Sequence, residues 1–205
     1  MKFSAVKVLI AANVLVFALQ YLSAGTPESL SALELWFALW PLHPIGGQSY
    51  FHFWQIVTYA FLHDTTGTAH LLFNMIGLWM FGTEIERYVG PRRLLACYFA
   101  SVVTAALTQL FVPMLFGASP GPTIGASGGV FGLILAYAVM FPKRKVAVYF
   151  LIPMPTWLFA TLYAGLELFM GVTNAQAGVA HFAHLGGMVG SALVISQWRR
   201  PAARA

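Results

Sequence analysis

The sequence predicts an all-α polytopic membrane protein with six transmembrane helices, a structured first loop and a short fourth helix. Three observations predict it. First, 59% of the 205 residues are hydrophobic and 8% are charged. An average soluble domain is roughly 45–50% apolar and about 25% charged, so this chain lacks the polar side chains to cover a soluble surface. Second, the apolar residues fall into runs at about 5–22, 68–86, 93–112, 127–141, 156–171 and 179–198, near the length of about 20 residues that a helical span uses. Third, the eleven Lys and Arg residues sort by loop. Lys2 and Lys7 precede or open the first run. Arg87, Arg92 and Arg93 separate the second and third. Lys143, Arg144 and Lys145 follow the fourth, and Arg199, Arg200 and Arg204 follow the sixth. With six spans and both termini in the cytoplasm, every one is inside. This composition excludes an ordinary cytosolic enzyme, a disordered protein and a nucleic-acid binder, and the net charge of +5 reflects topology. One membrane domain, 1–205, is expected.

The first run follows Lys2 and Lys7 and has no clear A-x-A site after it, so it reads as a span rather than a cleaved signal. The loop 23–67 holds Trp36, Trp40, Tyr50, Phe51, Phe53 and Trp54. Interfacial aromatics sit at headgroup depth, so this loop is expected to be structured and partly immersed in the outer leaflet. The fourth run, from Ser127 to Phe141 before Pro142, gives roughly 22 Å of helix, less than a bilayer core of about 30 Å. Anchored at Lys143, it ends inside the membrane. The Gly- and Pro-rich segment 117–126 precedes it, and irregular backbone at that depth requires protein or water around it. A water-filled cavity opening outward is implied. The fifth run starts near Thr156, after Pro153 and Pro155. The single cysteine, Cys97, lies in an apolar run as a packing residue and excludes an internal disulfide.

Polar residues inside membrane spans are functional candidates by default. Ser127, His184 and Asn74 each lie roughly 20 Å above a basic anchor, which puts three helices' polar side chains at one level. His70 is one turn above Asn74 on the same face. Ser127 opens a helix, where the first backbone N–H groups have no intrahelical partner and the helix dipole favours an anion. Serine there, with a histidine at its depth, has the parts for nucleophilic catalysis. Asp64 is the only aspartate and lies in the first loop, so an intramembrane aspartyl pair is excluded. His181-x-x-His184 with His70 has the residue types for a metal, but no carboxylate is expected beside them and H-E-x-x-H is absent, so no metal or cofactor is expected. Glu167 falls near the outer end of the fifth span and Glu84 and Glu86 at the inner end of the second. A Ser127–His184 dyad is therefore the economical reading, with packing orienting the imidazole. His181, about 4.5 Å further out, is expected to contact solvent or the outer loops. Gly128-x-x-x-Gly132 on the fourth span is expected to face Gly186-x-x-x-Gly190 on the sixth, since small residues let helices approach closely.

His70-Leu-Leu-Phe-Asn74, Glu86-Arg-Tyr-Val-Gly90, Gly125-Ala-Ser127-Gly-Gly-Val-Phe131-Gly132 and Ala183-His184-Leu-Gly-Gly187 occur in this order on the second, fourth and sixth runs. In these segments the chain resembles the rhomboid intramembrane serine proteases over about 31–196. The resemblance implies Ser127 as nucleophile and His184 as base and acid. It implies His70, Asn74 and the Ser127 backbone N–H as oxyanion donors. Gly125 and Phe131 support the site, Phe131 with its ring against the base, and Glu86 is structural. It further implies transmembrane proteins as substrates, cleaved near the outer face, and the bacterial inner (plasma) membrane as location. Many members carry Trp-Arg in the first loop where this chain has Trp54-Gln55. Two other readings stand beside this one. One is a small transporter or channel, since a broken helix with polar residues near the midplane also describes such a site. The other is a non-catalytic rhomboid-like binder of membrane proteins.

Overall fold

The computed structural model describes residues 3–23, 31–115, 121–148, 152–173 and 180–198. Lys2, Arg199, Arg200, Arg204, Val179 and the stretch 116–120, all used above to place spans and loops, lie outside the described residues. The architecture is predominantly helical. After α1 (Ala5–Ser23) come two short helices of the first loop, α2 (Ala32–Phe37) and α3 (Gln55–Thr58), the latter extended by a 3-10 turn, Tyr59–Phe61. The second apolar run forms α4 (Ala69–Gly77), a π-helical segment (Leu78–Gly82) and α5 (Thr83–Val89). Then follow α6 (Pro91–Leu115), α7 (Ser127–Met140), α8 (Thr156–Thr173) and α9 (His181–Trp198). By length and composition α1, α6 and α8 suffice to cross a membrane, and α7 is a shorter apolar helix. The second run is divided by its π segment.

The local chemistry explains the boundaries. Gly90, at φ +84°, closes α5 in the left-handed region that favours glycine. Pro91 then opens α6, where its missing N–H costs nothing. α7 stops at Met140, just before Pro142, and α8 starts at Thr156 as expected. The N-terminus of α1 is capped from a distance. The Glu86 carboxylate accepts the Ser4 hydroxyl at 2.9 Å and the Ala5 N–H at 2.6 Å, a favourable place for a negative group. One element departs from the all-α expectation. β1 (Lys145–Val148) pairs antiparallel with β2 (Ile152–Pro155), Lys145 opposite Pro155 and Val148 opposite Ile152. Pro153 and Pro155 bar a helix, and the β-branched Val146, Val148 and Ile152 suit extended backbone.

At the centre α7 is buried along most of its length, from Gly128 to Ala138, between α6 and α9. The glycine contacts differ from the expected pairing. A Cβ on Gly187 would collide with the Gly128 carbonyl, and one on Gly132 with Ser101 and the Gly187 carbonyl. Gly187 is therefore the α9 residue that meets α7. Gly186 and Gly190 instead face α6, against Thr108, Thr104 and Ala100. The register misses by one residue because α9 is wedged between two neighbours, and successive glycines on a helix point about 100° apart.

The first loop is braced by Gln55, which is fully buried. Its Oε1 accepts the N–H groups of Trp40 and His52 at 3.2 and 3.1 Å, and its Nε2 donates to the carbonyls of Tyr50 and Trp36 at 2.9 and 3.3 Å. The amide thus uses its two donors and its acceptor lone pairs. Leu39 and Thr123 then exchange N–H···O bonds, both 2.9 Å, so the loop is tied to the segment that leads into Ser127. Gln55→Leu keeps the bulk and strips these bonds. It should lower stability by about 1–3 kcal/mol, read as an earlier thermal unfolding midpoint in detergent. An unchanged midpoint would mean that the amide does not brace the loop.

Candidate active site

Ser127 is the first residue of α7, and the glycines that follow it determine where it sits. Gly128 lies against the Ala105 side chain and the Tyr59 hydroxyl, and its carbonyl against Gly187. That close backbone approach carries the start of α7 to the first turn of α9. The Ser127 Oγ lies 2.8 Å from the His184 Nε2. His184 is buried and Ser127 half-buried. The Phe131 ring, one turn along α7, stacks flat on the His184 imidazole, with centroids 4.1 Å apart and planes 2° off parallel. Ser127, His184 and Phe131 thus lie together where α7 meets α9.

Gly125 enters this site through its backbone. Its φ of +122° and its missing Cβ are both used, because a Cβ there would stand 2.7 Å from the His70 Nε2 and 3.8 Å from the Ser127 Oγ. Its N–H donates to the Tyr59 carbonyl at 3.0 Å, fixing the turn. His70 therefore projects from α4 to the serine across a bare glycine. Its other nitrogen, Nδ1, lies 3.3 Å from the Asp64 backbone N–H. An N–H can only donate, so Nδ1 is the acceptor, and a neutral ring carries its proton on Nε2, facing the serine side. Asn74 is buried one turn below and its Nδ2 donates to the His70 carbonyl at 3.0 Å. That bond leaves its Oδ1 and second N–H for other partners. Behind His70 stands His63, with ring centroids 5.0 Å apart. Burial, with the neighbouring His70, pushes the His63 imidazole down to about 4, so it is neutral near pH 7.

Two expectations need correction. His181 does not face solvent or the outer loops: it is buried, and its Nδ1 lies 2.7 Å from the Glu167 Oε2. Nor is His184 oriented by packing alone, because its Nδ1 lies 2.8 Å from that same oxygen. Glu167 is buried on α8. A carboxylate thus does stand beside the two histidines, from a helix distant in sequence. The signal was present in the chain: Glu167 is the one charged residue within 156–171. It also sits at the end of α8 nearer α9, the outer end in the six-span reading.

Glu167, His181 and His184 are also the residue types that hold metal ions, and their ligand atoms lie within 4.8 Å of one another. Their spacing is that of hydrogen bonds. Tetrahedral zinc with ligands at about 2.0–2.1 Å separates them by about 3.3 Å, whereas here both nitrogens stand closer than that to one carboxylate oxygen. A cavity of about 350 Å³ opens beside the start of α4, lined by Phe17, Tyr21, Thr65, Thr66, Gly67 and Thr68. It does not include Ser127 or His184, so it is not the outward cavity inferred over the serine.

Comparison with known proteins matches this chain to a family. The family model described as the Rhomboid domain matches residues 50–199. A RHOMBOID-like protein 12, mitochondrial, of Arabidopsis thaliana is 30% identical, over 71% of this chain and 46% of its own length. The rhomboid protease GluP of Bacillus subtilis is 33% identical, over 67% of this chain and 24% of its own. The rhomboid protease GlpG of Yersinia pestis is 26% identical, over 73% and 50%. The chain therefore spans about half or less of the length of these curated relatives. The matched domain and the apolar helices make it an integral membrane protein, and the chain belongs to the rhomboid family.

Proposed function

We propose that this chain is an intramembrane serine endopeptidase that cleaves transmembrane segments of other membrane proteins near the outer face. The observation that carries the reading is the 2.8 Å contact of the Ser127 Oγ with the His184 Nε2 at the start of α7. Six spans, with both termini and the basic loops in the cytoplasm, follow from the distribution of Lys and Arg. The bacterial inner membrane is the proposed location.

The chemistry follows from the geometry. The His184 Nε2 takes the Ser127 proton as Oγ attacks the scissile carbonyl, and the carbonyl's π electrons move onto its oxygen. The His70 Nε2–H, Asn74 and the Ser127 backbone N–H receive that oxyanion, supported by the positive end of the α7 dipole. Collapse of the intermediate breaks the C–N bond, and the Nε2 proton passes to the leaving amine. Water, activated by the now neutral His184, hydrolyses the acyl-enzyme and restores Ser127. A helical substrate must unwind first, since its carbonyls are engaged and its backbone shielded. Small or helix-breaking residues near the scissile bond therefore favour cleavage.

Ser127→Ala should abolish cleavage of single-span substrates by the detergent-solubilised protein and leave its unfolding midpoint in place. Residual cleavage in a preparation free of wild-type enzyme would remove Ser127 as nucleophile.

His70→Ala and Asn74→Ala should each slow cleavage without stopping it. Losing one oxyanion donor costs on the order of 10²–10³ in rate, and less where several donors share the load. Full activity in both variants would overturn the oxyanion assignment.

The topology has its own measurement. Cysteines placed at 143–145 should react with impermeant reagents only from the cytoplasmic side, and cysteines at 43–50 only from the outside. The opposite pattern would invert the orientation.

A further inference from the structure

We propose that Glu167 is a positioning residue that turns the Ser127–His184 pair into a Ser-His-Glu triad, with His181 as the second clamp on the same carboxylate. The inference rests on the serine protease reading above and adds a residue from α8 to it.

Three hydrogen bonds in series carry the argument. The Ser127 Oγ to His184 Nε2 distance is 2.8 Å, His184 Nδ1 to Glu167 Oε2 is 2.8 Å, and His181 Nδ1 to Glu167 Oε2 is 2.7 Å. An imidazole can serve as base toward Ser127 only if its Nε2 lone pair is free, which requires the proton on Nδ1. A carboxylate oxygen accepts and does not donate, so Glu167 selects that tautomer. Packing cannot do this. The Phe131 ring stacked on the imidazole fixes its plane but is indifferent to which nitrogen bears the proton.

Charge points the same way. When Ser127 gives its proton to Nε2, His184 becomes a cation inside a buried cluster. The groups facing it are Ser127 and Phe131 from α7, Glu167 from α8, His181 from its own helix and, from α4, His70. Of these, Glu167 alone supplies negative charge. The developing imidazolium is paired at 2.8 Å with a counter-ion already in place, and no group has to move as the charge forms. His181 holds the carboxylate through the same oxygen, Oε2. It lies three residues before His184, so both rings project from one face of α9 and converge on one oxygen. Held by two imidazoles, the Glu167 oxygen is fixed in direction, as a group that sets a base must be. The carboxylate needs these partners as well, since burying it unpaired would be costly.

A purely structural glutamate and a positioning glutamate differ in what replaces them. Glutamine keeps the volume and the hydrogen-bonding capacity but has no charge, and its amide can donate to Nδ1 and favour the wrong tautomer. Aspartate keeps the charge and loses reach. A positioning role predicts activity in the order Glu, then Asp, then Gln. A packing role predicts that Gln matches Glu and that Asp is worse.

The experiment uses the full chain in detergent. A fluorophosphonate probe reports Ser127 reactivity without needing a substrate helix, and a single-span substrate gives kcat and KM. Glu167→Gln should lower the labelling rate and kcat by at least about 100-fold, since the wrong tautomer costs on the order of 10⁴ in kcat in a well-studied triad. KM should move less than about twofold, and Glu167→Asp should recover part of the loss. Labelling of Glu167→Gln at the wild-type rate, or a Gln variant more active than the Asp variant, would overturn the triad. Failure of the wild-type protein to label at Ser127 would instead overturn the protease reading beneath it. Wild-type protein with ¹⁵N-labelled histidine tests the tautomer without any substitution at Glu167. His184 should show a bonded proton on Nδ1 and a bare Nε2, its signals being identified by their loss in His184→Ala. A bare Nδ1 on His184 would overturn the proposal.

Discussion

The structure depends on one close approach, that of the α7 and α9 backbones at Gly128 and Gly187. A side chain at Gly187 would separate the helices, since its Cβ collides with the Gly128 carbonyl, and one at Gly128 would instead meet Ala105 of α6. Because the contact falls one residue after Ser127 and three after His184, it converts helix packing directly into the distance between an oxygen and a nitrogen. Hydrogen bonds lose strength steeply with misalignment, so a small displacement of either helix would undo the pair. The surrounding features serve this contact. Gly132 lets α7 lie against Ser101 of α6, and Gly186 and Gly190 let α9 lie against the same helix. α6 is thereby the common wall on which the two active helices are registered.

The remaining parts secure the approach from the loop side. Tyr59 holds the Gly125 N–H through its carbonyl and donates its hydroxyl to the Val102 carbonyl of α6 at 2.9 Å. Leu39 and Thr123 close a two-bond bridge across the first loop. Gln55 braces that loop as a neutral amide. It has no charge to bury, and it offers acceptors and donors together where a guanidinium offers donors only. A neutral amide suits a position that is fully buried.

Much of this was legible in the sequence for physical reasons. Pro142 and the Pro153–Pro155 pair marked the end of α7 and the start of α8, because a proline past the first turn removes a helix hydrogen bond and clashes with the turn before it. The depth match of Ser127 and His184 was readable because helical rise is constant, and it brought together residues 57 positions apart in the chain. Other features depend on how helices rotate about their axes, which no rise count reports. Glu167 and His181 look peripheral in the sequence because height along a helix says nothing about the direction a side chain faces. The glycine pairing slipped by one residue for the same reason. The β1–β2 hairpin is hard to read in the sequence because each strand has only four residues, and prolines within an apolar run argue against a strand.

The brevity of α7 has a consequence for how such a site can vary. Its 14 residues run from Ser127 to a stop enforced by Pro142. Each residue added or removed would shift Ser127 by about 1.5 Å and swing it by about 100°. A change of one residue would leave the serine pointing away from His184 and would carry Gly128 and Gly132 off their neighbours. Only a change close to a whole turn restores direction, and that moves the serine by about 5–6 Å, far outside the reach of His184 and His70. Helix length here behaves as a discrete variable with one permitted value. The level of the nucleophile is therefore locked by periodicity as well as by packing, and gradual adjustment must come from the loops.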